Sequence, residues 1–175
     1  MDWKSLLASE TDYVFAVTGG LFDLVDDTEL GWKPATGDNW MTTGQLLHHI
    51  AINTGGGYKG FVTGDWGLPE GMDLSEMSPD EMLPPAEALP AVESVAQAKE
   101  MLATDRALAV EVLAGVSEEE LAHKVLAAPW APETALNLGT HLLHSIRHTL
   151  QHKGQLFYYL KLQGKPVNTH HLWGM

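Results

Sequence analysis

The stretch Ala135–Leu162, ALNLGTHLLHSIRHTLQHKGQLFYYLKL, decides how the rest of the chain is read. It reads as one long helix, because Gly164, Lys165 and Pro166 stand just past its last apolar residue and supply a stop. Along it, His141, His144, His148 and His152 form a rough stripe. Residues at i and i+4 share a helix face, so two imidazoles so spaced can reach one ion. Zinc–nitrogen bonds of about 2.0–2.1 Å suit such a pair. His144/His148 and His148/His152 both have this spacing, and spacing alone leaves open which pair closes on a metal.

A third ligand has to come from another element. Upstream, Thr42 with Gln45 makes a capping box that opens a second helix, which carries Leu46, Leu47, Ile50 and Ile52 and reaches Gly64 across Gly55, Gly56 and Gly57. His48 and His49 lie on it, the only histidines in another clear helix. A first amphipathic helix spans Asp2 to Val25, with Gly19 and Gly20 as weak points. A third spans Ala91 to Ala114. Residues 64 to 90 form a long connection rich in Pro, Gly, Met and acid, with one helical turn opening at Ser78. Ser117 with Glu120 opens another short turn, and Pro129 and Pro132 bar a regular helix around Trp130. No alternating pattern is long enough to argue for a sheet. The expected architecture is all-α: one domain over residues 1–175, a four-helix bundle with a long connection between its second and third helices.

Composition narrows the function classes. A net charge of −13 repels a phosphate backbone and argues against nucleic-acid binding. No apolar run approaches the ~18 residues of a membrane span, and the start MDWKSLLASE has no signal-peptide character, so a cytoplasmic location is expected. The absence of cysteine excludes disulfides, thiolate ligands and a cysteine nucleophile, so any thiol chemistry needs sulfur brought by the substrate.

Two segments, WMTTGQLLHHIA (Trp40–Ala51) and HTLQHKGQLFYYLKLQGK (His148–Lys165), resemble the DinB-like superfamily of bacterial metalloproteins. That family has a tryptophan shortly before a helix with a Leu-Leu-x-His-Ile core, and later a His-x-x-x-His pair followed by Arg-Gly-Gln. The resemblance implies that His49, which precedes Ile50, is a metal ligand together with His148 and His152, and that His144 lies near the pocket or is packed. Lys153 stands where the family often has Arg. The family pattern further implies a four-helix bundle, often a homodimer, with a divalent transition metal at one end. Zinc or nickel is the first expectation, and the family's characterised activities include thiol transfer to small molecules and a thiol-dependent isomerisation.

Three neutral imidazoles leave the ion's charge uncompensated and a further position open. Such an ion acidifies a bound water or thiol. The reading is therefore a metal-dependent enzyme on a small-molecule substrate, with a non-catalytic metal-binding bundle or a hydrolase as alternatives. A protease of the His-Glu-x-x-His type is disfavoured, because Thr149 occupies the base position. Asn53, one turn after His49, is either a polar contact for substrate or water or a half-exposed surface residue. Trp40, Tyr58, Trp66 and Trp130 are read first as core, with pocket walls as the alternative. Arg147 and Lys153 are read first as solvated, with an anionic substrate or a second subunit as the alternative. The His170–His171 tail has no assigned place.

Overall fold

The computed structural model describes residues 2–68, 72, 74 and 77–175, so part of the long connection lies outside the described residues. Helix α1 spans Trp3–Phe22 and is opened by the Asp2 carboxylate, which accepts the Ser5 N–H at 2.8 Å. Helix α2 spans Thr43–Ala51 and carries the expected capping box: Thr42 accepts from the Gln45 N–H while Gln45 accepts from the Thr42 N–H. Helix α3 spans Asn53–Thr63, α4 Pro79–Met82, α5 Val95–Gly115 and α6 Glu118–His123. The Ser117–Glu120 box opens α6 as its spacing foretells. Helix α7 spans Leu138–Leu162, and a short α8 spans Thr169–Trp173.

Both α1 and the α2–α3 pair pack on α5 and on α7. The core lies between them, where Leu7, Leu21, Leu46, Leu142, Ile146 and Leu160 are wholly buried. Truncating one such leucine to alanine typically costs about 2–5 kcal/mol, because the vacated space collapses only in part. Among the described residues, no helix is long and apolar enough to cross a membrane.

Three features depart from the sequence expectation. The chain is mostly helical but not all-α: Val125–Ala128 (β1) and Ala131–Asn137 (β2) pair antiparallel, from Val125 opposite Asn137 to Ala128 opposite Ala131. Trp130 sits in the turn between them, where the two flanking prolines do bar a helix. Consequently α7 starts at Leu138 rather than Ala135, and Asn137 caps it by accepting the Thr140 N–H at 2.8 Å.

The third departure is a joint. The expected second helix, read as continuous to Gly64, breaks at Ile52 (φ −119°, ψ 1°) into α2 and α3. The cause comes from α5. Asp105, only 5% exposed, accepts the N–H groups of Gly55 and Gly56 at 2.9 and 3.0 Å and so caps α3 from outside. A β-carbon on Gly55 would stand 2.2 Å from the Asp105 carbonyl oxygen, so only glycine admits α5 this closely. Burial raises the Asp105 carboxyl to about 6, although the α3 N–H groups pull the other way.

Candidate metal centre

His49 stands in the last turn of α2, and His148 and His152 stand one turn apart on α7. Where α2 meets α7, one nitrogen from each ring lies within 4.8 Å of the other two. His49 Nε2 and His148 Nε2 are 2.8 Å apart, a hydrogen bond in which one ring donates and the other accepts. The centroids of His49 and His148 each lie 4.5 Å from that of His152. A tetrahedral ion with ~2.0–2.1 Å bonds needs its donors about 3.3 Å apart. The His49–His148 separation of 2.8 Å is somewhat shorter than this, and every other pair lies within 4.8 Å.

The electrostatics suit a cation. Burial first, then the neighbouring imidazoles, push His49 down to about 4. Burial first and then His152 push His148 to about 4 as well. Burial also lowers His152, partly offset by its bond to Gln155. The rings are thus neutral at pH 7, the form that ligates metals. His49 also lies at the C-terminal, electronegative end of α2, where positive charge is favoured.

A chain of hydrogen bonds sets the orientation of His152. Tyr159 Oη donates to the Met41 carbonyl at 2.9 Å. Its oxygen therefore accepts from Gln155 Nε2 at 3.1 Å, which turns Gln155 Oε1 toward His152 Nδ1 at 3.0 Å. An amide oxygen can only accept, so Nδ1 carries the proton and Nε2 keeps its lone pair for a metal. Trp32 and Trp40 pack edgewise on Tyr159, with centroids 5.1 and 6.3 Å away. Trp40, two residues before the α2 cap, thereby supports a ligand on α7. Sequence reading meets Gln155 only as the Gln of the family's Arg-Gly-Gln run, with no role, and passes over Tyr159; their i+3 and i+7 spacing from His152 on one helix is the available signal.

The other histidines are placed differently. His141 stacks on Phe61 at 4.2 Å and is held through Nε2 by the Leu126 carbonyl of β1 at 2.8 Å, outside the triad. His144 lines the neighbouring pocket without joining the triad. His170 and His171 lie on α8, where the His171 ring bonds Asn168.

Asn53 does reach the site. Its amide donates to the Ser145 carbonyl and to Thr149 Oγ1, both at 3.1 Å, so only its carbonyl oxygen is left for a guest. Thr149 is wholly buried and bonded to Thr54 at 2.8 Å; it joins α3 to α7 and is no base. Lys153 is not solvated but 4% exposed, and it donates to the Leu172 carbonyl near the end of α8 at 2.5 Å. Tyr58 is core, bonded to Thr11 at 2.9 Å.

A pocket of about 520 Å³ opens beside His49 and His148. Its walls include Asn53, Phe61 and Trp66 from α3 and its exit, Trp130 and Thr134 from the hairpin, and His144 and Ser145 from α7. Among the described residues, its lining holds no Asp, Glu, Lys or Arg.

The donor set fits a divalent transition metal: three converging neutral imidazoles, no carboxylate among them, beside a cavity that can admit a further ligand. Comparison with known proteins agrees. No curated protein matches the chain, but residues 10–156, which include all three histidines, match the family model described as the DinB superfamily. The chain belongs to the DinB superfamily.

Proposed function

We propose that the protein is a metal-dependent enzyme acting on a small molecule, and that it transfers a low-molecular-weight thiol to an electrophilic acceptor. When bound, the ion supplies Lewis acidity that lowers the pKa of a coordinating thiol or water. His49, His148 and His152 hold it; Gln155 and Tyr159 fix the ring of His152. The observation that carries the reading is the position of His49 and His148 at the wall of a substrate-sized pocket in which, among the described residues, no carboxylate stands. Hydrolysis commonly uses a protein base to take a proton from water; among the described residues no carboxylate lines this cavity, and beyond the ligands its bases are His144 and His141, the latter held through Nε2 by the Leu126 carbonyl. A thiol acidified on binding needs no such base. Asn53 offers its carbonyl oxygen to orient an N–H or O–H of the guest.

The proposal includes a four-helix bundle in which the α2–α3 pair counts as one jointed member, supported by the packing of α1 and that pair on α5 and α7. It also includes a homodimer in the cytoplasm and zinc or nickel as the metal. Elemental analysis of protein purified without added metal should give about one equivalent per chain by the single-site reading, lost in His49→Ala; an empty wild-type protein refutes the metal site. Low-molecular-weight thiols are then screened with electrophilic acceptors on the loaded protein. Failure of every thiol with the metal present removes thiol transfer and leaves a metal-binding protein without turnover.

A further inference from the structure

The pocket's far wall is aromatic. Phe61, Trp66 and Trp130 meet edge to face: 4.9 Å between the Phe61 and Trp66 centroids, 5.2 Å between the two tryptophans, and 6.0 Å between Phe61 and Trp130. Their planes cross at 68–80°, so the rings form a corner rather than a closed stack. Phe61 is buried with one face stacked on His141, so the ring surface such a corner offers a flat guest belongs to Trp66 and Trp130. Trp130 is 40% exposed at the hairpin tip, far more than a core tryptophan needs. Two independent features hold the corner in place. Trp66 lies against bare backbone at Gly60, where a β-carbon would come within 2.2 Å of its ring. The β1 carbonyl of Leu126 ties the hairpin to His141, which stacks on Phe61.

We infer that this corner binds a neutral aromatic group of the substrate, while the polar end of the same molecule faces His49 and His148. The inference rests on the metal-site reading for the polar end only; the aromatic end stands on the rings themselves. A cationic guest is the other ligand that aromatic corners take. It is disfavoured because, among the described residues, the lining supplies no carboxylate to pair with it, and a metal ion held by the histidines would repel it. A cavity of about 520 Å³ accommodates one ring with a short polar arm, within the ~300–1,000 Å³ usual for small-molecule sites.

Benzohydroxamate and acetohydroxamate test this, since they share a metal-binding head and differ in phenyl against methyl. On the zinc-loaded chain, calorimetry should give benzohydroxamate about tenfold or more tighter binding. Trp130→Ala, at a partly exposed hairpin tip and checked for a native unfolding transition, should bring the two affinities to within about twofold by removing that ring. Equal affinities in the wild type, or an advantage untouched by Trp130→Ala, overturn the inference while leaving the metal site standing. The metal-free chain supplies the second arm. In proton–nitrogen NMR spectra, benzohydroxamate alone should shift the indole N–H signals of Trp66 and Trp130, assigned from Trp66→Ala and Trp130→Ala. Binding there without any response to zinc refutes the metal reading and keeps the aromatic one; indole signals unmoved at saturating benzohydroxamate refute the aromatic one.

Discussion

The metal-binding side of the site and the aromatic wall of the pocket beside it are built on opposite principles. On one side, His148, His152, Gln155 and Tyr159 stand on a single helix, and their relative positions follow from 3.6 residues per turn. On the other, Phe61, Trp66, Trp130 and His141 come from α3, its exit, a hairpin tip and α7, and no local periodicity relates them. The first wall is neutral at pH 7, rich in nitrogen, and oriented by directional hydrogen bonds. The second is held by ring packing, which is weaker per contact and less directional. Local geometry thus supplies the site's chemistry, and tertiary packing supplies its shape.

The comparison breaks most readily at the metal-binding wall. His148→Ala should reduce metal affinity more than about a hundredfold, beyond the 10–100-fold typical of losing a ligand's hydrogen-bond partner. Competition with a chromophoric chelator measures it, and unchanged tryptophan fluorescence would show that the aromatic wall is independent. Gln155→Leu should fall within that 10–100-fold range, because the ring of His152 then loses the acceptor that fixes its tautomer. An unchanged affinity would mean that helix packing alone orients the ring.

The opposite wall should respond in stability rather than metal affinity. Gly60→Ala drives a methyl into Trp66 and should cost about 1–3 kcal/mol in urea unfolding by overpacking. Its metal affinity should stay close to wild type; a large drop would show that the two walls are mechanically coupled. The smallest effect expected is in pH dependence. In the metal-free chain, His49 and His148 ionise near 4 instead of the ordinary 6.5, so the folded state resists their protonation. They contribute stability that is present above pH 6.5 and lost as pH falls toward 4. Asp105 acts in the opposite sense: its raised carboxyl contributes stability below about pH 4 that disappears as pH rises through about 6. The two partly cancel between pH 4 and 6, so His148→Ala should narrow the acid-side loss in thermal unfolding scans. An acid limb as steep as that of the wild type would assign the loss to other groups.

The same contrast explains what could be read from the chain alone. The helices, the Thr42 and Ser117 boxes and the His148–His152 pair rest on spacings of three and four residues. The resemblance then selected His49, His148 and His152 where spacing left His144 in play. What was missed depends on distant partners. Gly55 reads locally as a helix weakness, but it marks the close approach of Asp105, fifty residues away. The hairpin is hidden because VLAA and APETALN lack alternation, with Pro129 between them and Pro132 inside the second, so Ala135 and Leu136 read as the start of α7. Asn137, a favoured capping residue, was the overlooked marker of the true start. Lys153 looked solvated because its acceptor is a carbonyl on a tail with no strong pattern of its own.

The joint at Ile52 has a consequence for how such proteins diversify. His49 belongs to one rigid rod and Phe61 to the next, and the bend between them is secured by a carboxylate on a third element. Substitutions in the hairpin or the far half of α3 can therefore reshape the pocket while the histidine-bearing rod keeps its seat. On the reading proposed above, a lineage built on this plan is able to change what the pocket admits while inheriting the three-nitrogen seat intact.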